Sequence, residues 1–245
     1  MAIVLEQVTV TLDGLPIIAP LELTLARGFT AVIGPSGAGK TTLLKLLLGI
    51  ISPSAGQIVI DGRPVTGIHT ACAYMPQASM LLPWLTVAQN VALYARVNRQ
   101  RVPKAQLTDL LAMAGLTAYR DFLPAQLSGG MKQRVAFLRT VMNPAPYRLL
   151  DEPFGALDAM TRASLQDWLV GLPQAMQRPT LMVTHDINEA IFLADRILVL
   201  SARPARLLAD IANPAPVRDR AWLAAQAPLQ QRLYALLQQE GANAE

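Results

Sequence analysis

Apolar residues along this chain fall into two groups of short, strand-like runs. In the first group, Ile3 to Leu12, Leu21 to Leu25 and Gln57 to Ile60 have the composition of strands. Asp61-Gly62 follows the last of these runs and is typical of a turn. The pattern predicts a small β layer beside a buried strand, Phe29 to Ile33.

The second group of apolar runs lies further along the chain. Runs at Leu149, at Thr180 to Val183 and at Ile197 to Leu200 are almost continuously apolar, as strands are when both faces of a parallel sheet are covered. We expect them to extend a mainly parallel sheet that begins with Phe29 to Ile33.

Helical patterns occupy the chain between these groups. Residues from about 79 to 127 are helical in pattern, most clearly Val87 to Val97 and Gln106 to Ala114. Ser128 is a predicted N-cap, and one face of the helix that it starts carries Val135, Phe137, Leu138 and Val141. We therefore expect a helical subdomain inserted at about 79–143.

The carboxyl-terminal residues have a helical pattern of their own. After Asp210 the chain passes Pro214 and Pro216, and one helical face then carries Leu229, Leu233, Leu236 and Leu237. We expect a main domain of residues 1–210 and a helical tail of residues 211–245. Packing of the tail against the domain is the first expectation, and a regulatory or partner-binding helix is the alternative.

The segment after Phe29 to Ile33 matches the phosphate-loop pattern G-x-x-x-x-G-K-[ST]. Its residues are Gly34, Pro35, Ser36, Gly37, Ala38, Gly39, Lys40 and Thr41, and Thr42 follows. Such a loop binds an anion through backbone N–H groups and the dipole of the next helix. We expect Lys40 to reach the terminal phosphates of ATP or GTP, Thr41 to bind Mg²⁺ and Thr42 to donate near the α-phosphate. A glycine-rich turn beside a lysine is the alternative, which the flanking strand and helix disfavour.

Two adjacent carboxylates end the strand at Leu149. We expect Asp151 to hold Mg²⁺ through water, and Glu152 to orient and deprotonate the attacking water. Adjacent acids at a strand end are also common in solvated turns. Here the strand, the acids and the phosphate loop occur together and in the right order.

Together these motifs resemble the ATP-binding subunit of an ABC transporter. In the family's order, the chain carries the phosphate loop, Gln77, the signature Leu127 to Met131, Asp151-Glu152, the loop Ala156-Leu157-Asp158, and His185. The resemblance spans roughly residues 3 to 210. It implies an α/β, P-loop NTPase (ABC ATPase) fold with a mainly parallel sheet core, a small antiparallel β layer and an inserted helical subdomain.

The resemblance also implies roles for residues to which spacing in the sequence alone assigns no role. Gln77 would contact Mg²⁺ and the attacking water, and would begin the segment that responds to a membrane subunit. His185 would contact the γ-phosphate, and Asp158 would lie in a loop of a head-to-tail dimer. ATP bound to the second copy in that dimer would be contacted by Ser128, Gly129 and Gly130.

Finer features resemble the ATPases of nitrate, sulfonate and taurine importers. They are Leu81 to Val87 after the glutamine, Gly130-Met131 in place of the commoner Gly-Gln, and the uninterrupted run Asp151 to Asp158. The resemblance implies an ATPase that energises import of a small solute, with membrane permease subunits and an external solute-binding protein as partners. An importer of a thiamine-precursor pyrimidine and a soluble ABC-type ATPase acting on other cytoplasmic machinery are the alternatives.

Two residues depart from the family's pattern. Leu12 stands where an aromatic side chain usually stacks on adenine, and leucine provides apolar contact without π-stacking. Arg148 interrupts the apolar strand before Asp151. We expect its stem to pack while its guanidinium finds a partner near the beginning of the strand.

Composition limits the remaining classes of protein. The 245 residues are 52% apolar, but polar residues interrupt the long uncharged stretches, so no clean span of about 20 apolar residues exists. The single cysteine, Cys72, cannot form an internal disulfide. The net charge of +4 comes from scattered residues and does not indicate nucleic-acid binding. Because Met1 to Glu6 lacks the start of a secretion signal, we expect the chain to stay in the cytoplasm. The resemblance implies a peripheral position at the cytoplasmic face of the cell membrane.

Overall fold

The computed structural model describes residues 2–155, 157–172, 178–215 and 217–242. The strands in this part of the chain are β1 (Ile3–Leu12), β2 (Leu15–Leu25), β3 (Phe29–Ile33), β4 (Ala55–Ile60), β5 (Arg63–Val65), β6 (Cys72–Met75), β7 (Tyr147–Asp151), β8 (Thr180–Val183), β9 (Arg196–Leu200) and β10 (Leu207–Ala212). The α-helices are α1 (Lys40–Leu47), α2 (Val87–Val91), α3 (Leu93–Val97), α4 (Lys104–Met113), α5 (Gly129–Met142), α6 (Ala159–Val170), α7 (Ile187–Leu193), α8 (Arg220–Ala224) and α9 (Ala227–Ala242). Short 3₁₀ helices lie at Thr117–Tyr119 and Pro124–Gln126.

The main sheet has the strand order β10-β9-β3-β8-β7-β6. Its strands are parallel except for β10, which runs antiparallel to β9 at one edge. Side chains of β3 alternate between two apolar cores, with Val32 in one core and Ala31 and Ile33 in the other. Burial on both faces explains why β3 is apolar without a polar alternation.

The smaller sheet is antiparallel, with the order β2-β1-β4-β5. Asp61 and Gly62 connect β4 to β5 with positive φ angles of 49° and 80°, as a two-residue hairpin turn requires. The predicted turn is therefore confirmed. Strand β2 begins at Leu15 rather than at the expected Leu21, because its prolines are tolerated in an edge strand.

The helical segments after Gln77 pack around a core of their own, formed by residues of α2, α4 and α5. Helix α5 also belongs to the sheet's core: Val135 and Leu138 face the helical core, whereas Ala136 and Phe137 face the sheet. The helix pattern predicted from Val87 to Val97 is divided at Ala92 into α2 and α3. The boundaries at 79–143, 210 and 211 remain predictions.

The carboxyl-terminal helix α9 packs on the main body of the chain. Leu233 is completely buried, and Leu229, Leu236 and Leu237 pack against the same core beside the sheet. The structure thus favours the packing role expected for this segment. No helix in the described ranges is both long and apolar enough to cross a bilayer.

Candidate functional site

The carboxyl ends of four neighbouring strands define the site. Since β3, β8, β7 and β6 are parallel and adjacent, the segments that leave them emerge along one edge of the sheet, where open α/β sheets bind ligands. The phosphate loop follows β3, His185 follows β8, Glu152 follows β7 and Gln77 follows β6.

The phosphate loop turns directly from β3 into α1. Gly37 and Gly39 have φ angles of 75° and 92°, a left-handed conformation that residues with a Cβ rarely adopt. Lys40 is the buried first residue of α1, and its Nζ donates to the carbonyls of Gly34 and Pro35, both at 2.8 Å. Burial lowers the pKa of Lys40, while the carboxylates at the end of β7 oppose this shift.

Asp151 is a buried carboxylate that joins β7 to its surroundings. The hydroxyl of Tyr74, on the neighbouring β6, donates to Oδ2 at 3.1 Å, and Thr41 also hydrogen-bonds the Asp151 side chain. Burial raises the pKa of Asp151, and these two bonds and the charge of Lys40 oppose the rise. Tyr74 is an addition to the sequence-predicted site residues.

Glu152 connects two of the predicted site residues. The Gln77 Nε2 atom donates to its Oε2 at 3.1 Å, and Nδ1 of His185 lies 3.3 Å from the same oxygen. The Glu152 backbone has a φ of 44° and donates its N–H to the carbonyl of Val183 at 2.9 Å. A carboxylate held in this way is suited to orienting a water and accepting its proton.

The signature segment lies against α6. Ser128 caps α5, as predicted, because its Oγ accepts the N–H of Met131 at 3.3 Å. A Cβ added to Gly130 would lie 2.2 Å from Cγ2 of Thr161, in the first turn of α6. Asp158 caps α6 by accepting two backbone N–H groups. Within the described residues, no hydrogen bond joins the signature to the phosphate loop; the predicted loop residue Ala156 lies outside them.

Helix α5 also holds the backbone around Gln77. Gln133 is buried, and its Nε2 donates to the carbonyl of Pro153 at 2.8 Å and to that of Gln77 at 3.4 Å. Arg139 donates to the Met80 carbonyl at 2.7 Å. The helix that begins at the signature therefore contacts both the segment after β6 and the segment after Glu152.

A buried carboxylate, Glu189, lies behind His185 and is not among the sequence-predicted site residues. It belongs to α7 and is 4% exposed, and its Oε2 accepts the Thr184 hydroxyl at 2.5 Å. Burial raises the pKa of Glu189 to about 7, against the opposing Thr184 bond and the charge of Arg162. The available signal was the single acidic residue of a mostly apolar helix.

The two departures noted in the sequence lie in different sheets, Leu12 in the smaller sheet and Arg148 in the main sheet. Leu12 ends β1 and is 39% exposed. Arg148 is 4% exposed near the beginning of β7, where it lines a cavity of about 720 Å³ together with Arg27 and Arg178. Burial, with the nearby Arg178 charge, lowers the pKa of Arg148 to about 10. Its stem is therefore packed, as expected.

Comparison with known proteins identifies the family. Residues 18–155, more than half of the chain, match the family model described as ABC transporter. The chain belongs to the ABC transporter family. A protein of Brucella abortus (strain 2308), whose name describes it only as ATP-binding, is 44% identical over 190 residues, which are 76% of this chain and 73% of the relative.

A curated protein and a solved structure are also similar to this chain. The aliphatic sulfonates import ATP-binding protein SsuB of Bacillus subtilis (strain 168) is 40% identical over 188 residues, 76% of this chain and 73% of that protein. The dimeric structure of a post-hydrolysis state of the ATP-binding cassette MJ0796, bound to ADP and Pi, matches with a TM-score of 0.72 and 27% identity, over 87% of this chain and 99% of that one. The predicted P-loop fold and the assignment as an ATPase are confirmed.

Glu189→Gln should change how the stability of this ABC protein depends on pH. The folded-state pKa of Glu189, about 7, exceeds its ordinary value of 4.5, so the folded chain binds this proton more tightly than the unfolded chain. The resulting stabilisation is complete below the ordinary pKa and is lost as the pH rises through the folded-state pKa. The Tm should therefore fall less between pH 5 and 8, roughly the span of this titration, in the variant than in the wild type. Parallel Tm curves would contradict the assignment, and the exposed Glu22→Gln serves as control.

Proposed function

We propose that this chain is the ATP-hydrolysing subunit of an importer for a small solute, of the nitrate, sulfonate or taurine type. The observation that best supports ATP hydrolysis is that Gln77 and His185 both approach the same carboxylate oxygen of Glu152. Similarity to an aliphatic sulfonates import protein supports the importer assignment. The segments from Leu81 to Val87 and from Asp151 to Asp158 support the same subgroup.

Each site residue has a role in the proposed reaction. The phosphate-loop backbone binds the ATP phosphates, Lys40 neutralises the terminal ones and Thr42 donates near the α-phosphate. Glu152 orients the attacking water and takes its proton. Gln77 contacts the same water, and His185 contacts the γ-phosphate.

The chemistry of the donor set fits Mg²⁺. The Thr41 hydroxyl already hydrogen-bonds the Asp151 carboxylate, and Mg²⁺ prefers oxygen ligands of this kind, often through water. We assign Thr41, Gln77 and Asp151 to its binding. When bound, Mg²⁺ neutralises charge on the phosphate oxygens.

A second copy of the chain completes the site. Ser128, Gly129 and Gly130 contact the γ-phosphate held by Lys40 of the other copy, and the Asp158 loop lies at the same interface. Two observations support this arrangement: the signature packs on α6 of its own chain, and the similar cassette structure is dimeric. ATP then holds the two copies together, and hydrolysis releases them.

The segment after Gln77 docks on a membrane permease. Met80 and Trp84, four positions apart, expose 65% and 70% of their surface, and exposed apolar surface of this kind is typical of contact sites. The subunit is thereby held peripherally at the cytoplasmic face of the membrane. An external solute-binding protein is an indirect partner, and nucleic acid is not a partner.

Glu152→Gln should retain ATP binding and lose turnover by about 100-fold or more, because the neutral amide cannot accept the water's proton. Nucleotide binding is measured by fluorescence titration and turnover by phosphate release. Glu22→Gln is the matched control, since Glu22 accepts a hydrogen bond from Gln7 away from the site. Rapid turnover in Glu152→Gln would contradict the general-base assignment.

The chain should co-purify with a multi-span membrane protein. Tagged protein is expressed in its native host, membranes are solubilised gently, and proteins recovered in stoichiometric amount are identified by mass spectrometry. A permease in the eluate supports the importer. Recovery from the soluble fraction alone would contradict it and favour an ABC-type ATPase acting on other cytoplasmic machinery.

A further inference from the structure

One arginine lies between the loop that precedes α6 and the loop that carries His185. Arg162 is in the first turns of α6, and its guanidinium donates to the Leu157 carbonyl at 3.2 Å. The same guanidinium donates to Oδ2 of Asp186 at 3.3 Å. Its Nε atom lies 3.7 Å from Oε1 of Glu189. A single side chain therefore contacts both loops.

The residues on either side of His185 are held by this network. Thr184 donates its hydroxyl to Glu189 and accepts the N–H of Asp186 on the same oxygen, at 3.1 Å. Asp186 in turn contacts Arg162. The His185 side chain is 60% exposed and lies 3.3 Å from Glu152, so its position depends on that contact and on the backbone that its two neighbours fix.

Burial makes this pairing necessary. Glu189 is nearly inaccessible to water, and a buried carboxylate is costly unless it is paired and hydrogen-bonded. The titratable groups that bear on it are Arg162 from α6, and Asp186 and His185 from the preceding loop. Arg220 of α8 is directed instead over the ring of Phe192.

The other groups that contact α7 are engaged elsewhere. Arg218, which precedes α8, donates to backbone carbonyls at the end of α7 and pairs with Asp195 at 2.9 Å. Strand β3 contains no ionisable residue. From α9, Gln230 contacts Asn188 on α7 through a neutral hydrogen bond. Arg162 is therefore the cation that balances Glu189 within the described residues.

We propose that Arg162 is a positioning residue for His185, linking the loop that ends at Asp158 to the histidine through Asp186 and Glu189. The inference rests on the proposed function, in which His185 contacts the γ-phosphate and Asp158 lies at the dimer interface. A change at that interface then reaches His185 without Arg162 touching ATP. This provides a mechanical path from the second copy to the reacting phosphate.

Arg162→Met tests the link. We expect kcat to fall about tenfold, part of the roughly 100-fold or greater loss caused by removing a donor to transition-state charge, with KM for ATP changed by less than about twofold because the phosphate loop is untouched. Loss of the Arg162 charge also raises the pKa of Glu189. Because Glu189 holds Thr184 next to His185, the acidic limb of the activity profile should move to higher pH. Arg162→Lys keeps the charge but not the planar fork, and should restore the pH profile more fully than kcat.

Arg196→Met is the matched control. Arg196 also joins a carboxylate, that of Asp210, to a backbone carbonyl, that of Thr24, but it lies at the opposite end of the sheet's strands from the site. Its kcat and pH profile should match the wild type. In the double variant Arg162→Met/Glu189→Gln, the loss should not exceed the larger single loss, because both changes break one link.

A second readout requires no turnover. The chain contains two histidines, His69 and His185, so side-chain NMR resolves both, with His69→Gln for assignment. Arg162→Met should move the His185 resonance and leave that of His69 in place, whereas Arg196→Met should move neither. An unchanged His185 resonance, with wild-type kcat and pH profile, would overturn the link. If wild-type protein and His185→Ala hydrolyse ATP equally, the assigned role of His185 fails instead, and the two failures are thereby distinguished.

Discussion

Parallel pairing of β3 with β8, and of β7 with both β8 and β6, is the constraint on which the site depends. These strands are covered on both faces, so a slip of one residue would exchange the side chains of the two cores. The register is therefore fixed, and with it the positions of the loops at the carboxyl edge. Lys40, Asp151, Glu152 and His185 meet there because their strands are neighbours, although they are far apart in the sequence.

The carboxyl edge of the main sheet brings several charged side chains together in a partly buried site. Lys40 is buried with its ammonium over the phosphate loop, and the two carboxylates at the end of β7 act on its pKa. Burial alone would disfavour the charged forms of Lys40 and Asp151. Mutual attraction and the hydroxyls of Tyr74 and Thr41 offset part of that cost. The site is thus polarised before any nucleotide arrives, which is the condition for electrostatic stabilisation of a transferring phosphoryl group.

Features that depend on short-range rules could be predicted from the sequence. The phosphate loop between β3 and α1, the Ser128 cap and the Asp61-Gly62 turn follow from a few neighbouring residues whose chemistry admits few alternatives. The strands of the covered sheet could also be located, because burial on both faces leaves a continuous apolar run. The roles of the site residues remain predictions.

Features that depend on distant partners could not be predicted. Strand β6 has only four residues and lies at a sheet edge, so Cys72–Met75 has no distinctive periodicity. The link from Arg162 to Glu189 joins two helices that are separated by β8 in the sequence, and only tertiary packing brings them together. Packing of the Arg148 stem could be predicted, but the cavity beside it near the start of β7 could not, because several elements form that cavity.

The central claim is that each ATP site is completed by a second copy, and complementation tests it most directly. Lys40→Ala disables the phosphate loop, and Gly129→Asp places a negative charge at the signature, where an acidic residue still suits the first turn of a helix. A mixture of the two variants contains heterodimers with one intact composite site, so we predict that the mixture hydrolyses ATP while neither variant does alone. Folded variants whose mixture stays inactive, or Gly129→Asp protein that hydrolyses ATP by itself, would contradict the shared site.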